Sequence, residues 1–315
     1  MSRMRALDYA QKYWDLEVPI INDDNVIVRY QKVKFGKYRL YQGWNPNSPG
    51  GSQPPPGQTE WSRAVSRYAF GLFQKKKPLE LRVKNVWGNE VFLTFRTWDE
   101  LRLLLPRATQ PFSGKGSPED VQLTLQLAAR CGVVPATGLQ EYCDERVDAH
   151  YPRLGLDCNG FVGNYLRYRS SANLWSYIDP VNSNTIINGD MGINTIVTRL
   201  GTQPVTSEDD MFNRRMYVLG MVNSAGTVID GGFGPVGHIM ILDAINSTKK
   251  LPVYPPAPKK YLSGNYLWYS GVEATPAVGL SRVAYAILNV AQNGVSTIWR
   301  SEVQSLLNVK IFPVN

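Results

Sequence analysis

One stretch of the sequence decides the fold: Gly155-Leu156-Asp157-Cys158-Asn159-Gly160-Phe161-Val162-Gly163-Asn164-Tyr165-Leu166. Asp157 is of a residue type that caps helices, and apolar residues recur after it at helical spacing. The pattern predicts a buried helix with Cys158 in its first turn. Unpaired amide groups and the helix dipole favour the thiolate form of a cysteine there, which indicates a nucleophile. The alternative is a cysteine that serves as a small apolar core residue.

Two histidines, His150 and His238, are available to act with this thiol. His238 lies in Gly234-Pro235-Val236-Gly237-His238-Ile239-Met240-Ile241-Leu242-Asp243, which reads as a glycine-rich turn followed by an apolar strand. An imidazole at the start of such a strand can face a helix N-terminus, and the alternative is a hydrogen-bonded core histidine. His150 lies in a polar run and is expected in a loop.

Together these segments resemble the NlpC-type papain-like cysteine peptidases, a superfamily of cell-wall hydrolases. That family typically has Asp-Cys-Ser-Gly-Phe-Val followed by Gly-His-Val-hydrophobic-Ile, and this chain has the two motifs in the same order within residues 117–315. The resemblance implies an α+β fold with a papain-like core, in which the helix of Cys158 packs on an antiparallel sheet that carries His238. It also implies that Cys158 is the nucleophile, that His238 is the general base, and that backbone amides at the helix start hold the oxyanion.

The chain departs from the family pattern in three ways. Asn159 replaces the usual Ser, and Cys158 and His238 are 80 residues apart, which indicates an insertion between Ser170 and Arg214 that could cover the cleft. No histidine is available as the third polar residue. The family also has an upstream Tyr near the oxyanion, and Tyr151, seven residues before Cys158, is the candidate for that role, with ordinary packing as the alternative.

Two carboxylates are candidates to orient His238 in place of the missing third histidine. Glu273 lies on the next predicted strand, where papain-like sites carry their third polar group. Asp243 follows His238 by five residues, and an odd offset along a straight strand places it on the opposite face. We therefore favour Glu273 over Asp243, with a neutral group such as Asn265 or Ser270 as the remaining option.

The resemblance implies a substrate class as well. A thiol-dependent amide hydrolase of this type would cut peptide stems of peptidoglycan, at γ-D-glutamyl or cross-bridge bonds, as an endopeptidase or amidase. The same core also serves acyltransferases and protein deamidases, which would use the same two residues. A binding or assembly module with a decayed site is the non-enzymatic alternative.

Composition excludes several classes of protein. The chain has 315 residues, 43% of them hydrophobic and 19% charged, so it can bury a core and is not disordered. Its longest apolar runs, such as residues 283–290, fall short of the roughly 18–20 residues of a membrane-spanning helix. Cys131 and Cys143 lack zinc spacing, and Gly231-Gly232-Phe233-Gly234 matches neither a phosphate loop nor a dinucleotide fingerprint. We expect no metal and no cofactor.

The charge of the chain is uneven along the sequence. Residues 1–116 hold 19 Lys and Arg against 10 Asp and Glu, whereas residues 117–315 hold 15 against 16. A loop at residues 106–116, with two Pro and two Gly, is the predicted boundary between a basic, mixed α/β N-terminal domain (1–116) and a papain-like hydrolase domain (117–315). The positive charge of this domain is expected either to bind an anionic polymer such as the cell wall or to form a solvated surface. Nucleic acid is disfavoured because no known nucleic-acid-binding motif accompanies the charge.

Hydrophobic periodicity predicts the other elements. The predicted helices cover residues 5–15, 61–73 and 118–131, and the predicted strands cover residues 26–34, 38–41, 79–86 and 91–95. The N-terminus is basic but lacks an apolar stretch, so we expect no standard secretory signal. The corresponding expectation for location is a protein that is cytoplasmic as made and is delivered to the wall by a signal-independent route.

Overall fold

The structure is a computed structural model that describes residues 4–39, 54–147, 152–170, 187, 189–212, 216–230, 237–250, 264–301 and 304–314. The protein contains both helices and sheets, which confirms the predicted α+β class, and it forms two compact units. We call Gln11–Gly160 the cysteine unit, and Met1–Ala10 together with Phe161–Asn315 the barrel unit. Each unit is described by itself.

The helices and strands of the described residues follow one another in this order: α1 (Ala6–Trp14), β1 (Leu16–Ile21), β2 (Ile27–Val33), α2 (Gln58–Gln74), β3 (Leu79–Lys84), β4 (Glu90–Phe95), α3 (Trp98–Ala108), α4 (Pro118–Arg130), α5 (Leu139–Asp144), α6 (Cys158–Ser170), α7 (Ile193–Arg199), α8 (Asp209–Phe212), β5 (Tyr217–Met221), β6 (Ile239–Lys250), β7 (Asn265–Thr275), β8 (Gly279–Val290), β9 (Val295–Arg300) and β10 (Ser305–Pro313). Short 3₁₀ turns cover Gln110–Ser113 and Ala136–Gly138. No helix in these ranges is long and apolar enough to cross a membrane.

Most of the predicted elements lie where the sequence pattern puts them, and β1 was not predicted. The predicted strand 38–41 is reduced to a single bridge between Tyr38 and Leu156, with residues 40 and 41 outside the described ranges. Most of the Pro- and Gly-rich segment 45–57 also lies outside them.

Helix α4 lies at the centre of the cysteine unit, where every residue from Pro118 to Ala128 is buried. It begins with a capping box, because Ser117 Oγ accepts from Asp120 N at 3.2 Å and Asp120 Oδ2 accepts from Ser117 N at 2.9 Å. The sequence predicted this helix start, and the two bonds satisfy amides that would otherwise be buried without partners.

The side chains on one face of α4 satisfy the outer edge of β3. Gln122 accepts from Lys84 N at 2.8 Å and donates to Lys84 O at 2.7 Å, while Gln126 makes the same pair of bonds with Arg82 at 3.1 and 2.7 Å. The two glutamines are one helical turn apart and the two strand residues are two apart, so the spacings match. The otherwise unpaired edge of the β3–β4 hairpin is thereby held against α4.

The units do not divide the chain at residue 116, where the sequence predicted a domain boundary. Residues 106–116 contain the end of α3 and a 3₁₀ turn whose Pro111 and Phe112 are buried, so this segment is part of a core and not a linker. Because α4 packs on β1 and β3, the polypeptide on both sides of residue 116 forms one unit. The charge changes along the sequence, but the cysteine unit contains 20 Lys and Arg against 16 Asp and Glu, and the barrel unit 14 against 10.

Six antiparallel strands of the barrel unit close in the order β10-β5-β6-β7-β8-β9. Alternate residues point inward and build an apolar core from Tyr217, Leu219, Met240, Leu242, Tyr269, Val283, Tyr285, Ile298, Val309 and Ile311. Residues of the opposite parity on β7, β8 and β9, among them Trp268, Ala286 and Trp299, form a separate cluster. The side-chain period of two therefore decides which residues reach the barrel interior.

Candidate functional site

Asp157 caps the helix that begins at Cys158. Its Oδ1 accepts from Gly160 N at 2.6 Å, and its Oδ2 forms an ion pair with Lys115 Nζ at 2.6 Å. Burial raises the pKa of Asp157, although Lys115 and the backbone amides of Asn159 and Gly160 act against that rise. The cap predicted from the sequence is thus present, and Lys115 supplies it with a positive charge.

Close backbone contacts fix the polypeptide on both sides of this cap. Asp157 N donates to Gly114 O at 2.9 Å, and a Cβ on Gly160 would lie 2.1 Å from that same oxygen. Gly114 has a φ of +82°, and its own Cβ would lie 2.2 Å from Arg39 O. Glycine is therefore required at both places, and residues well before position 116 hold the start of α6.

The Cys158 side chain is buried and its Sγ lies 3.4 Å from Asn159 Oδ1, where the thiol can donate. Burial raises the pKa of Cys131 to about 12, and burial together with the charge of Asp144 raises the pKa of Cys143 above its usual range. Neither of those two thiols is set up to ionise near neutral pH.

His238 precedes β6 directly and its ring contacts a carboxylate of the neighbouring strand. His238 Nε2 lies 2.9 Å from Glu273 Oε2, and the Glu273 side chain is fully buried whereas 12% of the His238 side chain is exposed. Since an ionised carboxylate only accepts, the ring nitrogen that it contacts carries the proton.

A third side chain completes this cluster, because Arg300 Nη2 donates to Glu273 Oε1. Burial alone would raise the pKa of Glu273, but the interactions of the carboxylate with His238 and Arg300 outweigh it, so the pKa lies below the usual value. Glu273 is thus held as a carboxylate inside a mostly apolar barrel. Arg300 was not predicted from the sequence. Its place near Glu273 depends on the order of the barrel strands, in which β9 follows β7 and β8.

Strand parity explains why these three groups meet. His238 shares the parity of Met240 and Leu242, Glu273 that of Tyr269, and Arg300 that of Ile298, all of which point into the barrel. In an antiparallel barrel, the start of β6 and the ends of β7 and β9 lie at the same rim. The cluster is therefore an inward-facing polar group at one end of the barrel.

Asp243, the alternative partner for His238, lies elsewhere. Its Oδ2 accepts from Leu7 N at 3.3 Å, at the first turn of α1. Burial raises the pKa of Asp243, against the hydrogen bonds from the Leu7 and Ala6 amides. The neutral candidate Ser270 accepts from Arg282 Nη2 at 3.1 Å and the other, Asn265, is exposed. Glu273, by contrast, is hydrogen-bonded to His238.

Other predicted features lie outside the described residues. These are Tyr151, His150, the glycine-rich segment 231–234 and most of residues 171–188 within the expected insertion. In the ranges that the structure describes, no group of three or more His, Cys, Asp or Glu side chains is placed to hold a metal ion.

A groove of about 530 Å³ follows helix α2 in the cysteine unit. It is lined by Arg63 and Arg67, one helical turn apart, and by the hydroxyl-bearing residues Thr59, Ser62 and Ser66. Both arginines are exposed, so this surface presents positive charge and hydroxyl groups together.

Comparison with known proteins yields no relative: no family model matches the chain, and no match is found among curated proteins or among solved structures.

Proposed function

We propose that this chain is a thiol-dependent amide hydrolase with a papain-like core, a cysteine peptidase or amidase in which Cys158 is the nucleophile and His238 the general base. The observation that carries the proposal is the 2.9 Å contact between His238 Nε2 and the buried carboxylate of Glu273. A carboxylate in this position fixes the ring orientation and tautomer of a catalytic imidazole. Because Nε2 is engaged, proton transfer in the proposed reaction proceeds through Nδ1.

The start of α6 supports Cys158 in the role of nucleophile. The capped first turn directs backbone amides and the positive end of the helix dipole at this position. Burial acts against ionisation of Cys131 and Cys143 by raising their pKa values.

The proposed reaction has two halves. Cys158 Sγ attacks the amide carbonyl carbon, its proton passes to His238 Nδ1, and amides at the helix start hold the oxyanion. The imidazolium then protonates the leaving amine as the C–N bond breaks, which leaves a thioester. Water attacks the thioester with His238 again as base, and the acid product and free thiol are released.

The proposed substrates are peptide stems of peptidoglycan, cut at γ-D-glutamyl or cross-bridge bonds. This assignment rests on the resemblance of the Cys158 and His238 motifs to the NlpC-type peptidases. The groove along α2 supports a contact with the anionic polymer, since Arg63 and Arg67 offer exposed positive charge beside hydroxyl groups.

The test incubates the full chain with purified cross-linked and uncross-linked peptidoglycan fragments and identifies the products by mass spectrometry. We expect cleavage by the native chain and by Cys131→Ser, and none by Cys158→Ala or His238→Gln. Labelling of the folded chain with iodoacetamide should modify Cys158 before Cys131 and Cys143. Cleavage that survives Cys158→Ala, or the absence of cleavage in a folded native chain, would overturn the assignment.

The polymer contact has its own test, sedimentation with insoluble peptidoglycan at rising salt. We expect Arg63→Glu/Arg67→Glu to reduce the bound fraction at low salt and to leave cleavage of small soluble fragments unchanged, because screening acts on exposed charges. Equal binding of the variant and the native chain would contradict this contact.

A further inference from the structure

Arg300 is a buried cation in the barrel that the proposed reaction does not use directly. Its side chain is 11% exposed, and Nη2 donates to Glu273 Oε1 while His238 engages Oε2. Both oxygens of a fully buried carboxylate are therefore taken, one by a fixed cation and one by the imidazole.

The barrel register places Arg300 at this carboxylate. Glu273 on β7 is opposite Ser281 on β8. Arg300 on β9 is opposite Tyr285, which also lies on β8. Arg300 thus lies one strand beyond β8 and reaches Glu273 along the inner face, a span that suits a long side chain. Desolvation disfavours a buried charge unless a partner compensates, and Glu273 is that partner for Arg300.

We infer that Arg300 is a positioning residue for His238: it fixes the Glu273 carboxylate so that Oε2 accepts the Nε2 proton, and it balances the charge of that carboxylate so that the ring stays a neutral base. The expected effect of Arg300 on the protonation and tautomer of His238 depends only on the three side chains His238, Glu273 and Arg300. Its expected effect on turnover rests in addition on the proposed function.

The physical reason is the charge balance of the cluster. Two charged or titratable side chains interact with Glu273: His238, from the start of β6, lies at one carboxylate oxygen, and Arg300, from the end of β9, lies at the other. With Arg300 present, the negative charge of Glu273 is already neutralised. Without it, the same charge would act on the imidazole alone, and protonation of the ring would become the way to neutralise it.

The geometry of the guanidinium adds a second effect. A carboxylate with one oxygen bonded to an arginine cannot rotate without losing that bond, so the direction of its other oxygen is fixed. Removal of Arg300 would free this rotation, and the ring would then populate both neutral tautomers.

The experiment uses nuclear magnetic resonance of the two histidines in the full chain, with His238→Gln to assign the signals. The midpoint and the nitrogen shifts of His238 are followed with pH in the native chain, Arg300→Met, Arg300→Gln and Arg300→Lys. Arg282→Met is the matched control, since Arg282 also lies in the barrel but donates to Ser270. Circular dichroism confirms that each variant is folded.

We expect the native ring to carry its proton on Nε2 above its midpoint. Arg300→Met and Arg300→Gln should raise the midpoint by about one pH unit and mix the tautomers, since removal of one nearby positive charge favours the imidazolium by about that much. Arg300→Lys, which retains the charge, and Arg282→Met should leave the midpoint in place.

Two results would overturn the inference. One is a native ring protonated mainly on Nδ1, which can be seen without any variant. The other is a folded Arg300→Met or Arg300→Gln whose His238 midpoint does not rise. If both unfold, a folded Arg300→Lys decides: a native midpoint supports the role of the charge, and a raised midpoint contradicts it.

Turnover gives a separate readout. If the native chain cleaves amide substrates, Arg300→Gln should lower kcat about tenfold with little change in KM and should move the acid limb of the pH profile upward with the His238 midpoint. A native chain without hydrolysis would overturn the proposed function, and the resonance measurements would still decide the role of Arg300.

Discussion

The two residues proposed to carry the chemistry are positioned by different means. Cys158 lies in a frame of backbone contacts, where Gly114 and Gly160 approach each other and Asp157 caps the helix. His238 is positioned instead by side chains, through a buried carboxylate on β7 and an arginine on β9.

The difference shows which parts of a site can be predicted from a sequence. A backbone frame needs particular residues at adjacent positions, so the Asp-Cys-Asn-Gly motif at residues 157–160 is visible in the chain itself. A side-chain cluster depends on which strands pair and in what register, and the three residues here are spread over 63 positions from 238 to 300. We therefore expect the cysteine unit to be destabilised by substitutions that crowd its backbone. We expect the barrel unit to be destabilised by substitutions that remove one charge of the buried cluster.

The largest expected effect is that of a truncation that removes residues 1–116. It would delete β1 and β3, on which α4 packs, together with Gly114 and Lys115, which hold the start of α6. A buried helix that loses its neighbours exposes a large apolar surface, so the fragment 117–315 should show no cooperative unfolding of its cysteine-bearing part. Circular dichroism melting and amide hydrogen exchange of α4 and α6 measure this.

A control fragment that begins at residue 4 retains every described contact and should melt like the full chain. If the fragment 117–315 melts cooperatively with protected amides in α4, the cysteine unit does not depend on the hairpins before residue 116. The domain boundary predicted from the charge would then be the better description.

The next largest effect is expected for Glu273→Gln in the barrel. It leaves Arg300 buried without a charged partner, which typically costs about 3–5 kcal/mol of the free energy of unfolding. Because the folded pKa of Glu273 is lowered, its stabilising effect is present above the ordinary pKa of a carboxyl and is lost as the pH falls through the folded value. Urea unfolding at pH 7 and at pH 3 measures the change.

The matched control is Glu17→Gln, since Glu17 pairs with Lys84 at 2.9 Å on the surface of the cysteine unit. An exposed pair contributes about 0–1 kcal/mol, so this variant should unfold close to the native chain at both pH values. The charge-balance argument fails if Glu273→Gln and Glu17→Gln cost the same at pH 7, or if the cost of Glu273→Gln grows toward pH 3.

A smaller effect is expected for crowding of the backbone at Gly160. A Cβ in Gly160→Ala would lie 2.1 Å from Gly114 O, and that backbone atom has little room to move. Overpacking of this kind costs about 1–3 kcal/mol. The midpoint of urea unfolding measures it, and the cost should appear in the cysteine unit.

Gly71→Ala is the control for this substitution, because Gly71 lies inside α2 with open space where the Cβ would be. The same chemical change should there stabilise the chain by up to about 1 kcal/mol through helix propensity. Equal effects of the two substitutions would show that Gly160 is not held by a close contact.

Local patterns account for the parts of the fold that were predicted correctly. The Ser117 cap, the α2 helix and the β3–β4 hairpin each depend on residues within one or two turns of chain. The boundary predicted at residue 116 falls inside the cysteine unit, because Pro and Gly also occur in tightly packed turns such as that at Gly114. Its side-chain-free backbone is needed for a contact with residues 39 and 157, which are far away in the sequence.

In the barrel, too, the sequence pattern predicts the faces of single strands but not the contacts between strands. Alternation predicted that Asp243 lies on the opposite face of its strand from His238, and the Asp243 carboxylate contacts the first turn of α1. Closure of the six strands and the contact of Arg300 with Glu273 depend on register between strands, which single strands do not encode. Arg300 therefore had no local signature.

The smallest effect is expected for Asp243→Asn, which tests this division of the two carboxylates. Asn retains an oxygen that can accept from Leu7 N, so the cap on α1 persists, and the free energy of unfolding at pH 7 should change by less than about 1 kcal/mol. Burial raises the folded pKa of Asp243, so its contribution is most favourable at low pH and is lost as the pH rises through that value. The variant should therefore gain slightly on the native chain between pH 4 and pH 7. Its turnover should equal that of the native chain, in contrast to Glu273→Gln. If Asp243→Asn slows hydrolysis and Glu273→Gln does not, then Asp243 orients His238 during the reaction and the barrel cluster has only a structural role.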